Sequence, residues 1–64
     1  MEKVVLIGAG SAVFTRGLVS DLIRSGLEAD LALVDIDAGA LEVAARLAEK
    51  MVAFKQAPMR VSAH

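Results

Sequence analysis

The residues best suited to chemistry are two glycines and an aspartate, each placed just after a short apolar run. The run Val4–Ile7 is followed by Gly8 and Gly10, and a second run, Leu31–Val34, is followed by Asp35. Gly8 suits a tight turn, and Gly10 has no Cβ to keep a diphosphate away from the backbone. A helix that begins after such a turn directs free N–H groups at a bound anion. The pattern predicts a phosphate-binding turn.

Asp35 is the residue that would make this turn specific for a dinucleotide. It lies 25 positions after Gly10, and the dinucleotide-binding fingerprint places a ribose-binding acid about 20 residues further on. A carboxylate there accepts hydrogen bonds from the ribose hydroxyls and repels the 2′-phosphate of NADP, so NAD is the predicted cofactor. The alternative is that Asp35 is a solvated acid at the end of a strand.

The turn departs from the usual G-x-G-x-x-G pattern because Val13 stands where the third glycine is expected. We expect Gly17, one turn further along, to allow part of the close helix–strand packing that this glycine normally permits. Ser11 is a candidate N-cap of the helix and a candidate phosphate contact, and its backbone N–H is expected to matter in either case.

Two neighbours of Asp35 have competing interpretations. Asp37 precedes a helical stretch directly, which favours a role as its N-cap over a role in binding. Ile36 is either a residue that packs on an adenine ring or a core residue.

The elements that would position these residues alternate between strand and helix. Phe14, Leu18 and Leu22 recur at helical spacing on one apolar face, and Gly26 is placed to end that helix. The fold class is therefore α/β, the first βαβαβ part of a Rossmann-like doubly wound parallel sheet. The predicted elements, in order, are a strand at Lys3–Ile7, a helix at Ala12–Ser25, a strand at Leu31–Val34 after the link Leu27–Asp30, a helix at Ala38–Lys55 and a strand at Met59–Ala63.

Length and composition limit the function classes. The chain has 64 residues, near the lower limit for an independent core, and a parallel sheet needs both faces covered, so we expect a fragment of a larger protein. The net charge is −1, with two aromatic residues and no basic run, which argues against nucleic-acid binding. No signal peptide or membrane span is recognised, and a cytoplasmic location is expected.

No catalytic residue and no metal site can be assigned from the residues themselves. Cysteine is absent, His64 is the single histidine, and no nucleophile–base pair or converging carboxylate pair is recognised.

The segments KVVLIGAGSAVFTRGLVSDL, LALVDID and ALEVAARLAEKMV together resemble the N-terminus of the NAD-dependent glycoside hydrolases of family 4. The resemblance is greatest to the branch that contains α-glucosidases and α-galactosidases. It rests on Gly8–Ser11 followed by Val13-Phe14-Thr15, where dehydrogenases more often carry a third glycine.

The resemblance implies net hydrolysis of a glycoside through NAD-dependent oxidation, elimination, water addition and reduction. It also implies Mn²⁺, held by a cysteine and a histidine outside this chain, and a tyrosine base that is likewise absent from it. Only the cofactor site carries over. It comprises Gly8, Gly10, Ser11, Ala12 and Val13 at the pyrophosphate, and Asp35 at the ribose.

On this interpretation, residues 1–64 are the N-terminal part of an NAD-binding Rossmann domain whose remainder is not in this chain. We expect a small glycoside as substrate, a homo-oligomeric assembly, and no nucleic-acid or membrane partner. Two alternatives stay open. The first is the N-terminal segment of a lactate/malate-type NAD-dependent dehydrogenase, and the second is a small non-enzymatic nucleotide-binding module.

Overall fold

The computed structural model describes residues 2–64, in which three parallel strands and two helices alternate. The sheet order is β1-β2-β3, and both neighbouring pairs are parallel. The predicted Rossmann-like βαβαβ arrangement is confirmed. The elements are β1 (Glu2–Ile7), α1 (Ala12–Ser25), β2 (Ala29–Val34), α2 (Ala38–Lys55) and β3 (Met59–Ala63).

The bounds of both helices and of β3 agree with the prediction, whereas β1 and β2 begin earlier than predicted. β1 begins at Glu2 rather than Lys3, and β2 begins at Ala29, within the predicted link Leu27–Asp30. Ala29 pairs with Glu2 on one side and with Met59 on the other, and its side chain is buried. Pairing on both edges extends the strand into a segment whose polar composition suggested a link.

The core lies between the sheet and the two helices. Leu31 and Leu33 of the central strand are fully buried and face it, because alternate residues of a strand point to the same side. Ala44 and Ala48 let α2 approach the sheet closely. The burial of Leu31 and the burial of Leu33 each contribute about 1.5–3 kcal/mol to the stability of the fold. The main buried cluster consists of Leu6, Ala9, Val19, Leu31, Leu33, Leu41, Ala45 and Ala48.

The opposite face of the sheet is open in the described residues. Val5 and Ile7 of β1 lie on it and are 53% and 78% exposed. They pair in register with Ala32 and Val34 of β2, so the open face is apolar at its centre. Both helices lie on the other face because right-handed crossovers that run in one direction across a sheet stay on one side of it.

The predicted end of α1 is confirmed, whereas its predicted apolar face is only partly packed against the core. Gly26 ends α1 in the left-handed conformation, with φ of 74°, as predicted. Leu18 and Leu22 of the predicted apolar face pack against the core, whereas Phe14 of the same face is 54% exposed. The fully buried positions of α1 are Thr15 and Val19, which places Phe14 at the margin of the buried stripe.

Neither helix in the described part of the chain is long and apolar enough to cross a membrane.

Candidate functional site

The glycine turn, Gly8–Ser11, is fastened to the end of the neighbouring strand. The backbone N–H groups of Gly8 and Ala9 both donate to the carbonyl of Val34, at 2.8 and 3.1 Å. Gly8 has a φ of 80°, a conformation that glycine adopts without the steric cost of a Cβ, which confirms its predicted role in the turn. Because β1 and β2 are parallel and adjacent, the turn lies beside the residue that follows Val34.

That residue is Asp35, and its carboxylate contacts the turn directly. Oδ2 accepts a hydrogen bond from the Gly10 N–H at 2.8 Å, and Oδ1 accepts one from the Asp37 N–H at 2.9 Å. The structure therefore brings together Gly10 and Asp35, the two residues whose spacing suggested a dinucleotide site.

The two hydrogen bonds also fix the charge of Asp35. The Asp37 N–H, followed by the Gly10 N–H, holds the pKa of the Asp35 carboxyl below its ordinary value, because both donors stabilise the ionised form. A carboxylate offers about four lone-pair positions, so two accepted bonds leave room for hydroxyl donors from a ligand. Asp35 is an ionised acceptor at neutral pH.

The packing of the protein around position 10 requires a glycine there, independently of any ligand. A Cβ at this position would lie 2.7 Å from Oδ2 of Asp35 and 2.9 Å from Cβ of Ala40, both closer than real Cβ contacts. The sequence suggested that Gly10 admits a diphosphate, whereas the structure adds that it admits the Asp35 carboxylate and the first turn of α2.

The amides of Gly10 and Ser11, like the other two of the turn, are bonded to protein acceptors. The Gly10 N–H is taken by Asp35, and the Ser11 N–H donates to the carbonyl of Gly8 at 3.3 Å. Ser11 occupies the N-cap position of α1 with extended backbone angles, but its side chain makes no capping hydrogen bond. The predicted cap is therefore right in position and wrong in its hydrogen bond, and the exposed hydroxyl remains available to a ligand.

The free donors lie one step further along, in the first turn of α1. Within residues 2–64, the N–H groups of Ala12, Val13 and Phe14 have no protein acceptor. The first N–H groups of a helix carry its partial positive charge and are well placed to bind an anion. Phe14 was not among the predicted site residues, although the rule that a helix leaves its first N–H groups unpaired would have included it.

Thr15 is a second residue that sequence reasoning missed. Its side chain is fully buried, and its Oγ1 donates to the carbonyl of Ala9 at 2.7 Å. This bond joins the second turn of α1 to the glycine turn and fixes the direction in which the helix starts. A threonine amid apolar residues was the only sequence signal.

We expect Thr15→Val in the full-length protein to lower the free energy of unfolding by about 1–3 kcal/mol, since it leaves the buried Ala9 carbonyl without its donor. Thr15→Ser keeps the hydroxyl and should cost less. Chemical denaturation of the three proteins measures the difference. Equal stability of the valine variant and the parent would show that the bond contributes nothing.

Gly17 does not have the role expected for it. A Cβ at Gly17 would meet no atom within 4 Å, so the helix makes no close approach there. Val13, at the usual third-glycine position, is itself exposed. In the described residues, neither position 13 nor position 17 lies in the close contact between helix and strand that the third glycine of the fingerprint normally permits.

The two residues after Asp35 are now distinguished. Ile36 is fully exposed, so the core interpretation of this side chain was wrong. Asp37 caps α2 as predicted, because its Oδ1 accepts from the Ala40 N–H at 3.1 Å.

The single histidine lies at the end of the chain, where the Nε2 of His64 is 3.0 Å from the Oγ of Ser62. Among residues 2–64, no group of three or more acidic or histidine side chains is arranged to hold a metal ion.

Comparison with known proteins identifies the family. The model of family 4 glycosyl hydrolases matches residues 3–64, nearly the whole chain. The chain belongs to glycosyl hydrolase family 4. The family 4 match includes the glycine turn, the start of α1 and Asp35, and it supports the glycosidase interpretation over the dehydrogenase and the non-enzymatic module. No curated protein matches the chain in a sequence search.

Proposed function

We propose that this family 4 chain forms part of the NAD-binding domain of a glycosidase that acts on α-glucosides or α-galactosides. The family match supports glycoside hydrolysis. The observation that carries the cofactor assignment is the hydrogen bond between Asp35 and Gly10, made beside a helix start with free N–H groups.

The residues present fit the two anchoring points of NAD. The N–H groups of Ala12, Val13 and Phe14, with the Ser11 hydroxyl, would hold the pyrophosphate at the start of α1. Gly8 and Gly10 shape the turn beneath it, through a positive φ at Gly8 and the absent Cβ at Gly10.

Asp35 would hold the adenosine ribose. Its carboxylate is ionised and retains free lone pairs, so it can accept from both ribose hydroxyls, and its charge disfavours the 2′-phosphate of NADP. Ile36, exposed next to it, offers an apolar surface to the adenine ring.

The work of this chain is to bind and orient the cofactor. When bound, NAD⁺ would accept a hydride from C3 of the sugar and return it after the aglycone has left and water has added. This route differs from the paired-carboxylate mechanism of most glycosidases. Asp35 and the start of α1 would keep the adenosine and pyrophosphate fixed while the nicotinamide reacts elsewhere.

Several properties of the full-length protein belong to the same proposal. We propose that residues 1–64 are its N-terminal part, which the exposed Val5 and Ile7 on the open sheet face support. Mn²⁺ would be held outside this chain, and no step proposed here passes through it. A small glycoside substrate, a cytoplasmic location and homo-oligomeric assembly complete the proposal, with no nucleic-acid or membrane partner, in accord with the net charge of −1.

The test is hydrolysis of 4-nitrophenyl α-glucoside and α-galactoside by the full-length protein in D₂O, with and without added NAD. We expect nitrophenol release that depends on NAD, together with deuterium at C2 of the released sugar, because elimination removes that hydrogen to solvent.

Other outcomes would point elsewhere. Hydrolysis that continues after NAD removal, with no deuterium at C2, would indicate the paired-carboxylate route and contradict the proposal. Accumulation of NADH with a 2-hydroxy acid, and no glycoside cleavage, would indicate a dehydrogenase.

A further inference from the structure

A second candidate binding surface lies between the C-terminal halves of the two helices, at the ends away from the glycine turn. It is a groove of about 550 Å³, here called the interhelix groove. Its apolar lining comes from Ile23 of α1 and from Met51 and Phe54 of α2. None of these residues belongs to the proposed NAD site.

The apolar lining is presented to solvent. Phe54 is 82% exposed, whereas Ile23 and Met51 are partly buried and pack against the core below. Aromatic and methionine side chains around a concavity are typical of the centres of protein–protein interfaces. Phe54 is therefore the natural anchor of this surface.

The charged residues that line the interhelix groove are all basic. They are Arg24, Lys50 and Lys55, and no carboxylate lines it. The Nζ of Lys55 lies 5.6 Å from the centre of the Phe54 ring. Arg24 pairs with Asp21 at 3.2 Å, but both side chains are at least 70% exposed, and such a pair is weak and easily exchanged.

The same chemistry continues towards the start of α1. A smaller depression there is lined by Ala12, Val13 and Leu47, with Arg16 as its charged residue. Each of the two depressions is thus lined mainly by apolar groups, with cations beside it.

We propose that the interhelix groove binds an amphipathic helix of a partner protein, with apolar residues towards Phe54 and Met51 and with acidic residues on its flanks. A concave apolar channel suits a rod-shaped ligand, as in helix-in-groove recognition, better than a flat membrane surface. Charge complementarity requires acidic flanks opposite Arg24, Lys50 and Lys55. Symmetric self-association through this groove would oppose the same cations to one another and is disfavoured.

The experiment uses the full-length protein and two labelled synthetic peptides, followed by fluorescence anisotropy. Both peptides carry leucines on one helical face. One has glutamate on its flanks and the other has lysine. We expect the protein to bind the glutamate peptide more tightly than the lysine peptide. Phe54→Ala should lower the affinity for the glutamate peptide about tenfold, the loss typical of an anchor residue.

Charge reversal provides the decisive comparison. The double variant Lys50→Glu/Lys55→Glu should invert the preference and bind the lysine peptide more tightly. Arg46→Glu, on the exposed face of α2 outside the groove, is the matched control and should leave the preference unchanged. Circular dichroism of each variant checks that the helices are retained.

Three results would overturn the proposal. The first is equal binding of the two peptides, or preference inversion by the Arg46 variant as well. The second is that neither peptide binds, which would show that the groove is filled within the full-length protein. The third is tighter binding to vesicles containing phosphatidylserine, with loss in the double variant, which would identify a membrane surface. The NAD-dependence assay is separate, so either proposal can fail alone.

Discussion

Replacing Gly10 by alanine is expected to weaken NAD binding by the full-length protein about tenfold to a hundredfold. The added Cβ would lie 2.7 Å from Oδ2 of Asp35 and 2.9 Å from Cβ of Ala40, so the carboxylate and the start of α2 must move. A displaced Asp35 carboxylate would lose hydrogen bonds to the ribose, which contribute about 1.5–3 kcal/mol, and 1.4 kcal/mol corresponds to a tenfold change in affinity. Isothermal titration with NAD measures the effect.

Gly17→Ala is the matched control, because it makes the same chemical change within the helix that follows the turn, without a steric conflict. Nothing lies within 4 Å of a Cβ at Gly17, and alanine in a helix interior is more stable than glycine by about 0.5–1 kcal/mol. We expect this variant to bind NAD like the parent and to unfold at slightly higher denaturant. NAD affinity unchanged in the Gly10 variant would refute the role given to the turn.

Asp35→Ala is expected to weaken NAD binding about tenfold or more and to narrow the preference for NAD over NADP. Hydrogen bonds to a charged group contribute about 1.5–3 kcal/mol, and the alanine variant loses both the acceptors and the charge that repels a 2′-phosphate. Titration of each variant with NAD and with NADP measures both affinities.

Asp37→Ala separates binding from helix capping. It removes the acceptor of the Ala40 N–H, which should cost about 1 kcal/mol of stability and leave NAD affinity unchanged. If this variant lost more NAD affinity than Asp35→Ala, the roles of the two acids would be reversed.

The pH dependence provides an independent readout of the same residue. Hydrogen bonds from Asp37 and Gly10 lower the pKa of Asp35 in the folded protein. The ribose hydroxyls need the ionised carboxylate as acceptor, and a lowered pKa keeps Asp35 ionised at every pH above the ordinary value of a carboxyl group. We therefore expect the Asp35 contribution to NAD affinity to be constant between about pH 5 and 8 and to be lost only in stronger acid.

Local sequence patterns were sufficient to predict which segments form strands and which form helices. The apolar run before Gly8 and the helical spacing of Leu18 and Leu22 in α1 each reflect a periodicity that a strand or a helix imposes on its own residues. The spacing from Gly10 to Asp35 predicted that both residues belong to one dinucleotide site, because one crossover helix returns the chain to an adjacent parallel strand. The capping roles of Gly26 and Asp37 were likewise local, since their partners lie within a few residues.

Tertiary structure decided the features that depend on distant partners. Ala29 joined β2 because strands on both sides pair with it, and Thr15 can be buried because its hydroxyl donates to the Ala9 carbonyl.

The sequence by itself determined the βαβαβ order and the approach of Asp35 to the glycine turn, because these follow from periodicity and from the length of one crossover. Only the tertiary structure decided which amides remain free to bind an anion. The Gly10 amide is taken by Asp35, while those of Ala12, Val13 and Phe14 stay open. Hydrogen-bond donors are assigned by the three-dimensional positions of their acceptors, which residue types and spacing do not specify.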